Sequence, residues 1–171
     1  MTTGVRAEEA ADRAAVEAVH RAAFPSAAEA RLVDLLRTGG RAAVSLVAEM
    51  EDQVVGHILF SPISVEPARL GVAGAGLAPV GVLPSRQRQG IGSQLVMQGI
   101  AACRKAGFDF IVVLGDPAYY RHFGFATASG FGLGNEYGVD REFMALELSA
   151  GCLRGMHSTV RYSDEFSSLA A

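Results

Sequence analysis

The sequence predicts a mixed α/β (α+β) fold, with a central sheet of about six to seven strands and about four flanking helices. Segments with the 3.6-residue period of a helix alternate with apolar, β-branched segments that are typical of strands. One stretch, residues 82 to 95, also joins the end of an apolar strand to an amphipathic helix through a glycine loop. These two observations together favour a sheet covered by helices.

The amino-terminal part predicts one strand and two helices. Residues Val5 to Ala7 fit a short strand, and Ala10 to Phe24 has apolar side chains at helical intervals before Pro25 ends it. A second helix is expected from about Ala27 to Arg37, because two glycines follow shortly after it and stop it.

Apolar stretches rich in β-branched residues are expected to form the sheet: Ala42 to Ala48, Gln53 to Val65, Ala75 to Leu83, Phe110 to Leu114 and Phe143 to Leu148. The first two predict a hairpin, and Phe110 to Leu114 is too continuously apolar for an edge strand. A helix from Gly90 to Ala106 and a short one from about Ala118 to Phe123 lie between strands. Residues 129 to 138 are expected to be a glycine-rich loop.

Composition predicts one domain over residues 1–171, with a core from about 5 to 148 and a carboxyl-terminal extension from 149 to 171. Half of the residues (50%) are hydrophobic and 19% are charged, which is enough for one hydrophobic core. The formal net charge of −3 argues against nucleic acid as the main partner. No apolar stretch approaches the roughly 20 residues of a membrane-spanning helix, so no membrane partner is expected.

The amino terminus lacks a basic start followed by an apolar run, which disfavours a secretory signal. Cys103 and Cys152 are far apart in sequence, and neither has a His or Cys at the spacing of a metal site. A reduced, cytoplasmic environment and the absence of a metal ion are therefore expected.

The loop within residues 82 to 95 has the chemistry of an anion site. A strand that runs straight into a helix leaves unpaired backbone N–H groups at the positive end of the helix dipole. Gly90 and Gly92 permit left-handed backbone angles and close approach of a ligand, and Arg86 and Arg88 add positive charge. The sequence therefore predicts a phosphate-bearing ligand at this loop.

Two other phosphate-binding motifs fit less well. The glycines begin a Gly-x-Gly-x-x-Gly dinucleotide fingerprint, but Leu95 replaces its third glycine. Asp109 lies near the spacing of a ribose-binding acid, yet it precedes the apolar strand instead of following it. A P-loop is excluded, because the Gly-Lys-Ser/Thr sequence is missing.

Two motifs at a suitable separation indicate a family. The loop has Val82, Pro84, Gln87, Gly90 and Gly92 at the defined positions of the pattern Val-x-Pro-x-x-Gln/Arg-x-x-Gly-x-Gly/Ala. Downstream, the chain reads Gly-Asp-Pro-Ala-Tyr-Tyr over residues 115 to 120 and Phe-Gly-Phe over 123 to 125. With the order of elements over roughly residues 5 to 148, these motifs resemble the GNAT superfamily of acyl-coenzyme A N-acyltransferases, in particular an uncharacterised bacterial branch.

The resemblance implies that acetyl-coenzyme A is the co-substrate and lies where strands ending near Leu83 and Leu114 splay apart. Pantetheine would pair along the open edge at Val82, with a β-bulge at Gly81, and a backbone donor near Val82 would polarise the thioester carbonyl. No metal is implied. The implied cofactor-binding residues are Val82, Leu83, Gln87, Arg88, Gln89, Gly90, Ile91, Gly92, Ser93, Gly115 and Asp116.

The resemblance also implies direct attack by an amine, which needs a base and an acid. Tyr120 matches the family's tyrosine and is the expected acid, with packing under the cofactor as the alternative. Glu29 is the first candidate for the base, because the second helix lines the acceptor cleft in the family; the alternative is a solvated helix carboxylate. Asp116 equally fits a turn that starts a short helix, and His57 fits a hydrogen-bonded structural histidine.

We therefore expect an N-acetyltransferase that acts on an amine of a small molecule or peptide. The alternative is a non-catalytic acyl-coenzyme A-binding sensor or assembly module, which would need the loop but not Tyr120. No motif identifies the acceptor, although Glu136, Asp140 and Glu142 would attract a cationic amine. Exposed sheet edges in this fold favour a homodimer, unless residues 152 to 162 cover one.

Overall fold

A nine-stranded mixed sheet organises residues 3–168, the part of the chain that the computed structural model describes. The strands are β1 (Gly4–Ala7), β2 (Val44–Met50), β3 (Gln53–Glu66), β4 (Gly74–Val82), β5 (Phe110–Leu114), β6 (Ala126–Thr127), β7 (Leu133–Asn135), β8 (Phe143–Glu147) and β9 (Ser158–Arg161). The helices are α1 (Arg13–Ala23), α2 (Ala28–Thr38), α3 (Ile91–Lys105), α4 (Pro117–Tyr120) and α5 (Asp164–Ser167). The predicted mixed α/β fold is confirmed.

Seven strands follow one path across the sheet, in the order β1-β2-β3-β4-β5-β8-β6. Along this path only β4 and β5 are parallel, and every other neighbouring pair is antiparallel. Strand β5 has a neighbour on each side, as its continuously apolar sequence predicted.

The helices cover opposite faces of the sheet because side chains alternate along each strand. Ile58 and Phe60 of β3 belong to the apolar cluster that includes Leu95 and Val96 of α3. Leu59 instead belongs to the cluster formed with α1 and α2. The long strand β3 is therefore apolar on both faces and joins two hydrophobic cores, and all three of these β3 side chains are fully buried.

Strands β4 and β5 pair only over Gly74–Gly76 and Phe110–Val112. Beyond these residues the two strands separate, which leaves the carboxyl-terminal half of β4 without a neighbour on that side. The splayed arrangement that the sequence predicted is present, and it opens the sheet between Val82 and Leu114.

The predicted β-bulge at Gly81 is wrong. Gly81 pairs regularly with His57, whereas the register shifts nearer the middle of β4, where Ala78 and Pro79 lie between two paired residues and only one β3 residue opposes them. Proline has no N–H for the ladder, so the extra residue falls where a donor is already missing. Glycine is instead needed at position 81 because of packing, since a Cβ there would lie 2.9 Å from Nδ1 of His20.

The sequence did not predict the two-residue strand β6, nor the strands β7 and β9 of the carboxyl-terminal region. The expected loop from 129 to 138 includes β7, and the extension includes β9, which pairs with β7 and with Ser64–Glu66 of β3. Leu133 of β7 and Val160 of β9 are buried in the same apolar cluster. These strands have only three and four residues, and their partners are distant in sequence, so no local period indicates them.

Candidate functional site

The separation of β4 and β5 produces two adjoining clefts, both of which are lined by Phe24 and Val80. The first, here named the loop cleft, has a volume of about 460 Å³ and is formed by the end of β4, the loop of residues 83 to 90 and the start of α3. The second, here named the apolar cleft, has a volume of about 470 Å³ and extends between β4, β5, α2 and the carboxyl-terminal region. Each has the size of a small-molecule site.

Most of the predicted cofactor-binding residues lie together in the loop cleft. Those that line it are Val82, Gln87, Arg88, Gly90, Ile91, Gly92 and Ser93. Arg86, predicted as a source of positive charge, also lines it. The remaining four, Leu83, Gln89, Gly115 and Asp116, are not among its lining residues.

The loop needs left-handed backbone angles at two residues. Gly90 has φ of 82° and precedes the first turn of α3, as its lack of a side chain predicted. Arg88 also has a positive φ, of 63°, which no sequence pattern indicated. Gly92, which could also adopt such angles, is the second residue of α3 and has a helical backbone instead.

The side chain of Gln87 ties the loop to the strand. Its Nε2 atom donates to the carbonyl oxygen of Val82 at 3.0 Å. On the other side, the N–H of Leu83 donates to the carbonyl of Val55 in β3 at 2.8 Å. Because successive N–H groups of a strand point in opposite directions, the N–H of Val82 points away from β3, toward the open side.

Helix α4 places Tyr120 in the apolar cleft. Asp116 caps this helix, since its Oδ1 accepts a hydrogen bond from the N–H of Ala118 at 3.0 Å. Gly115 donates its own N–H to the carbonyl of Glu142 at 2.9 Å. The contacts of both residues are therefore structural, and their proposed role in cofactor binding stays a prediction.

The ring of Tyr120 is fixed by its neighbours. It packs edge-on against Tyr119 and Phe125, with ring centroids 5.1 and 5.6 Å apart. A Cβ at position 115 would overlap the ring, so glycine is required there. Within residues 3–168 no group hydrogen-bonds the hydroxyl of Tyr120, and burial raises its pKa to about 12. The phenol is thus protonated at neutral pH and free to donate.

Glu29 lies in the first turn of α2 and lines the same cleft as Tyr120. Its Oε1 atom is buried, and no group in the described part of the chain donates a hydrogen bond to it. Glu29 as a whole is half-buried, and its role as the base stays a prediction. The fold brings together the two residues that the resemblance implied as acid and base.

Several lining residues were not predicted. Tyr119 lines the loop cleft, and its hydroxyl lies 3.2 Å from Oγ of Ser93. Tyr137 and Tyr162 line the apolar cleft. Tyr137 and Tyr162 come from the late loop and the extension, where no local signal was available, because long-range pairing of β7 and β9 positions both segments.

Two acidic residues considered in the sequence analysis, Glu136 and Asp109, form hydrogen bonds to other segments of the chain. Glu136 accepts the N–H of Tyr162 at 3.2 Å, and its other oxygen lies 3.5 Å from a guanidinium nitrogen of Arg161. The carboxylate of Asp109, near the spacing of a ribose-binding acid, accepts the N–H of Ala73 and the hydroxyl of Ser149. Both residues connect segments of the chain.

Comparison with known proteins identifies the family. The family model described as "Acetyltransferase (GNAT) family" matches residues 11–125. The uncharacterised N-acetyltransferase YhbS of Escherichia coli K12 is 35% identical over 164 residues, which cover 95% of this chain and 97% of YhbS. The chain therefore belongs to the GNAT acetyltransferase family.

Two solved GNAT structures share the fold over almost the whole chain. The crystal structure of YhbS from Escherichia coli in complex with CoA has a TM-score of 0.90 at 34% identity, covering 96% of this chain and 92% of that one. A GNAT family acetyltransferase from Brucella melitensis, in complex with acetyl-CoA, has a TM-score of 0.80 at 35% identity, with coverages of 96% and 98%.

Residues 3–168 contain neither a metal-binding cluster nor a helix that could span a membrane. No group of three or more His, Cys, Asp or Glu side chains there is arranged to bind a metal ion. None of the helices described is long and apolar enough to cross a membrane.

Proposed function

We propose that this GNAT protein transfers an acetyl group from acetyl-CoA to an amine of a small molecule or peptide. The observation that carries the proposal is the opening between β4 and β5, with an anion-binding loop at one end and Tyr120 and Glu29 at the other. The solved relatives in complex with CoA and with acetyl-CoA support the choice of donor.

In this proposal the loop cleft binds the donor. The backbone N–H groups from Gln87 to Ser93 hold the pyrophosphate at the start of α3, aided by Arg86 and Arg88. Pantetheine runs along the open edge of β4, and the N–H of Val82 donates to the thioester oxygen. This donor stabilises the negative charge that develops on that oxygen during attack.

The apolar cleft then provides the acid and the base. Glu29 accepts a proton from the acceptor ammonium, and the neutral amine forms a C–N bond to the thioester carbon. The tetrahedral intermediate collapses, the C–S bond breaks, and Tyr120 donates its proton to the departing thiolate. The second proton on the nitrogen then passes to the tyrosinate, which restores Tyr120, and Glu29 releases the first proton to solvent. Tyr120 is available as a proton donor because a phenol is protonated at neutral pH, and burial raises its pKa further.

The test is the release of free coenzyme A from acetyl-CoA with a panel of amines, together with calorimetric binding of CoA. We expect Tyr120→Phe to lower kcat by roughly a hundredfold, within the usual range for a general acid, while the Kd for CoA stays unchanged. Tight CoA binding without thiol release by any amine would favour the non-catalytic sensor or assembly module instead.

A further inference from the structure

The lining of the apolar cleft includes one acidic residue and no basic residue among those described. Among the described residues that line it, Glu29 is the only one with a charged side chain at neutral pH. The others are aliphatic or aromatic, including Leu32, Pro79 and Val113. No lysine, arginine or histidine of the described chain lines the cleft, so it offers no positive partner for a carboxylate or phosphate.

Glu29 has an unsatisfied oxygen in this cleft. Its Oε1 atom is buried and no described residue donates to it, although a buried carboxylate oxygen without a partner is costly. An ammonium group bound beside the carboxylate of Glu29 would supply the compensating charge from within the cleft. A single carboxylate matches a single positive charge, which disfavours acceptors with several.

Aromatic rings form much of the remaining wall. Phe24, Tyr137, Tyr162 and Phe166 line the cleft in addition to Tyr120. The ring centroids of Tyr162 and Phe166 are 5.0 Å apart, and those of Tyr137 and Tyr162 are 6.0 Å apart. Such a wall favours a flat apolar body by stacking, and an ammonium group near a ring by cation–π attraction.

We propose that the acceptor is a monoamine with one positive charge on an apolar, preferably aromatic, body. This inference rests on the proposed acetyl transfer and assigns its substrate class. Among the described lining residues, an amino acid's carboxylate finds no positive partner, and a polyamine finds Glu29 as its single negative partner, so both fit poorly. Acetylation removes the positive charge, so the product amide loses its attraction to Glu29 and can leave.

The test compares matched amines in the thiol-release assay. Phenethylamine has the proposed chemistry, phenylalanine adds a carboxylate to the same body, and spermidine adds positive charges. We expect kcat/KM for phenethylamine to exceed that for either of the others by at least roughly tenfold, a difference of about 1.4 kcal/mol. Equal or higher values for phenylalanine or spermidine would overturn the acceptor class while leaving acetyl transfer intact.

A variant pair tests the role of Glu29. Glu29→Gln should raise the Kd of phenethylamine for the CoA-bound protein by at least roughly tenfold, with the Kd for CoA unchanged. Glu17→Gln is the matched control, because Glu17 lies on α1, is 46% exposed and pairs only with Arg21 among the described residues. Unchanged phenethylamine binding in Glu29→Gln would contradict the inference.

Binding and turnover together separate the two proposals. Phenethylamine that binds in a Glu29-dependent way without thiol release would support an aromatic monoamine as the ligand of the apolar cleft, and it would overturn acetyl transfer. Release with other amines, but no binding of phenethylamine, would overturn the acceptor class alone. If no amine binds and none releases the thiol, both proposals are wrong.

Discussion

His20 and His57 form a buried pair in which Nε2 of His20 lies 2.8 Å from Nδ1 of His57. The other ring nitrogen of His57 lies 2.8 Å from Oγ of Ser45, whose hydroxyl donates to Glu8 at 2.7 Å. Because the Glu8 carboxylate only accepts, His57 must donate to Ser45, and His20 must donate to His57. His20 therefore presents an unprotonated Nδ1 toward Gly81.

This pair predicts a loss of stability in mild acid. Burial, and then the positive charge of Arg37, lower the pKa of His20 to about 4, and burial also lowers the pKa of His57. In the unfolded chain, histidines take up protons below a pKa of about 6.5. The free energy of unfolding should therefore fall as the pH drops from about 6.5 to 4, by about 3 kcal/mol for His20.

Urea unfolding at a series of pH values measures this effect. The double variant His20→Gln/His57→Gln should lose most of the pH dependence in that range, whereas His157→Gln, which changes an exposed histidine, should keep it. Asp12 contributes separately at lower pH, since its pKa is lowered to about 2 by its hydrogen bond to Arg6. A flat profile between pH 6.5 and 4 would contradict the neutral pair.

Glu8 should be important for stability. It forms an ion pair with Arg37 in which the two side chains are only 7% and 12% exposed, and it also accepts from Ser45. Glu8→Gln leaves the guanidinium of Arg37 with only the exposed carboxylate of Asp34 as charge partner, so we expect a loss of about 3 kcal/mol in the free energy of unfolding. The exposed pair of Glu17 provides the comparison: Glu17→Gln should change stability by less than about 0.5 kcal/mol.

The two glycines of the loop should respond differently to alanine. Gly90 has a left-handed backbone, so Gly90→Ala should cost about 1 to 2 kcal/mol and weaken CoA binding by displacing the N–H groups. Gly92 is helical, and a Cβ there would lie 3.5 Å from the hydroxyl of Tyr119, which is an ordinary contact. Gly92→Ala should stabilise the protein by about 0.5 to 1 kcal/mol.

Melting temperature and calorimetric CoA affinity together check these two variants. We expect the Kd for CoA to rise by roughly tenfold or more in Gly90→Ala and to stay within about twofold in Gly92→Ala. Equal loss of affinity in both variants would mean that close approach of the ligand, and not the backbone angle, is what requires the glycines.

Gly115 should influence turnover through Tyr120. A side chain at this position would displace the tyrosine ring, and displacement of a catalytic group by about 1 Å can reduce a rate by roughly a hundredfold. Gly115→Ala should lower kcat, and adding it to Tyr120→Phe should cause little further loss; the Kd for CoA, measured alongside, tests the predicted role of Gly115 in cofactor binding. Gly134→Ala, with open space around its Cβ, serves as control. Fully additive losses would indicate a role of Gly115 that is independent of Tyr120.

Much of the fold could be predicted because its elements are locally coded. The alternation of His57 and Leu59 with Ile58 and Phe60 correctly assigned the two faces of β3. The hairpin, the interior position of β5 and the helix after Gly90 were also correct. The bulge and the short strands β7 and β9 were missed, because they depend on register and on partners distant in the chain.

The sequence by itself determined the family, the mixed sheet and the glycine loop between β4 and α3, because each rests on residues close together in the chain. Only the tertiary structure decided which groups meet. It placed Glu29 of α2 in one cleft with Tyr120 of α4, with Tyr137 and Tyr162 as walls, and it paired His20 with His57 in the core. These contacts join elements far apart in sequence, so they arise from packing, which no local pattern encodes.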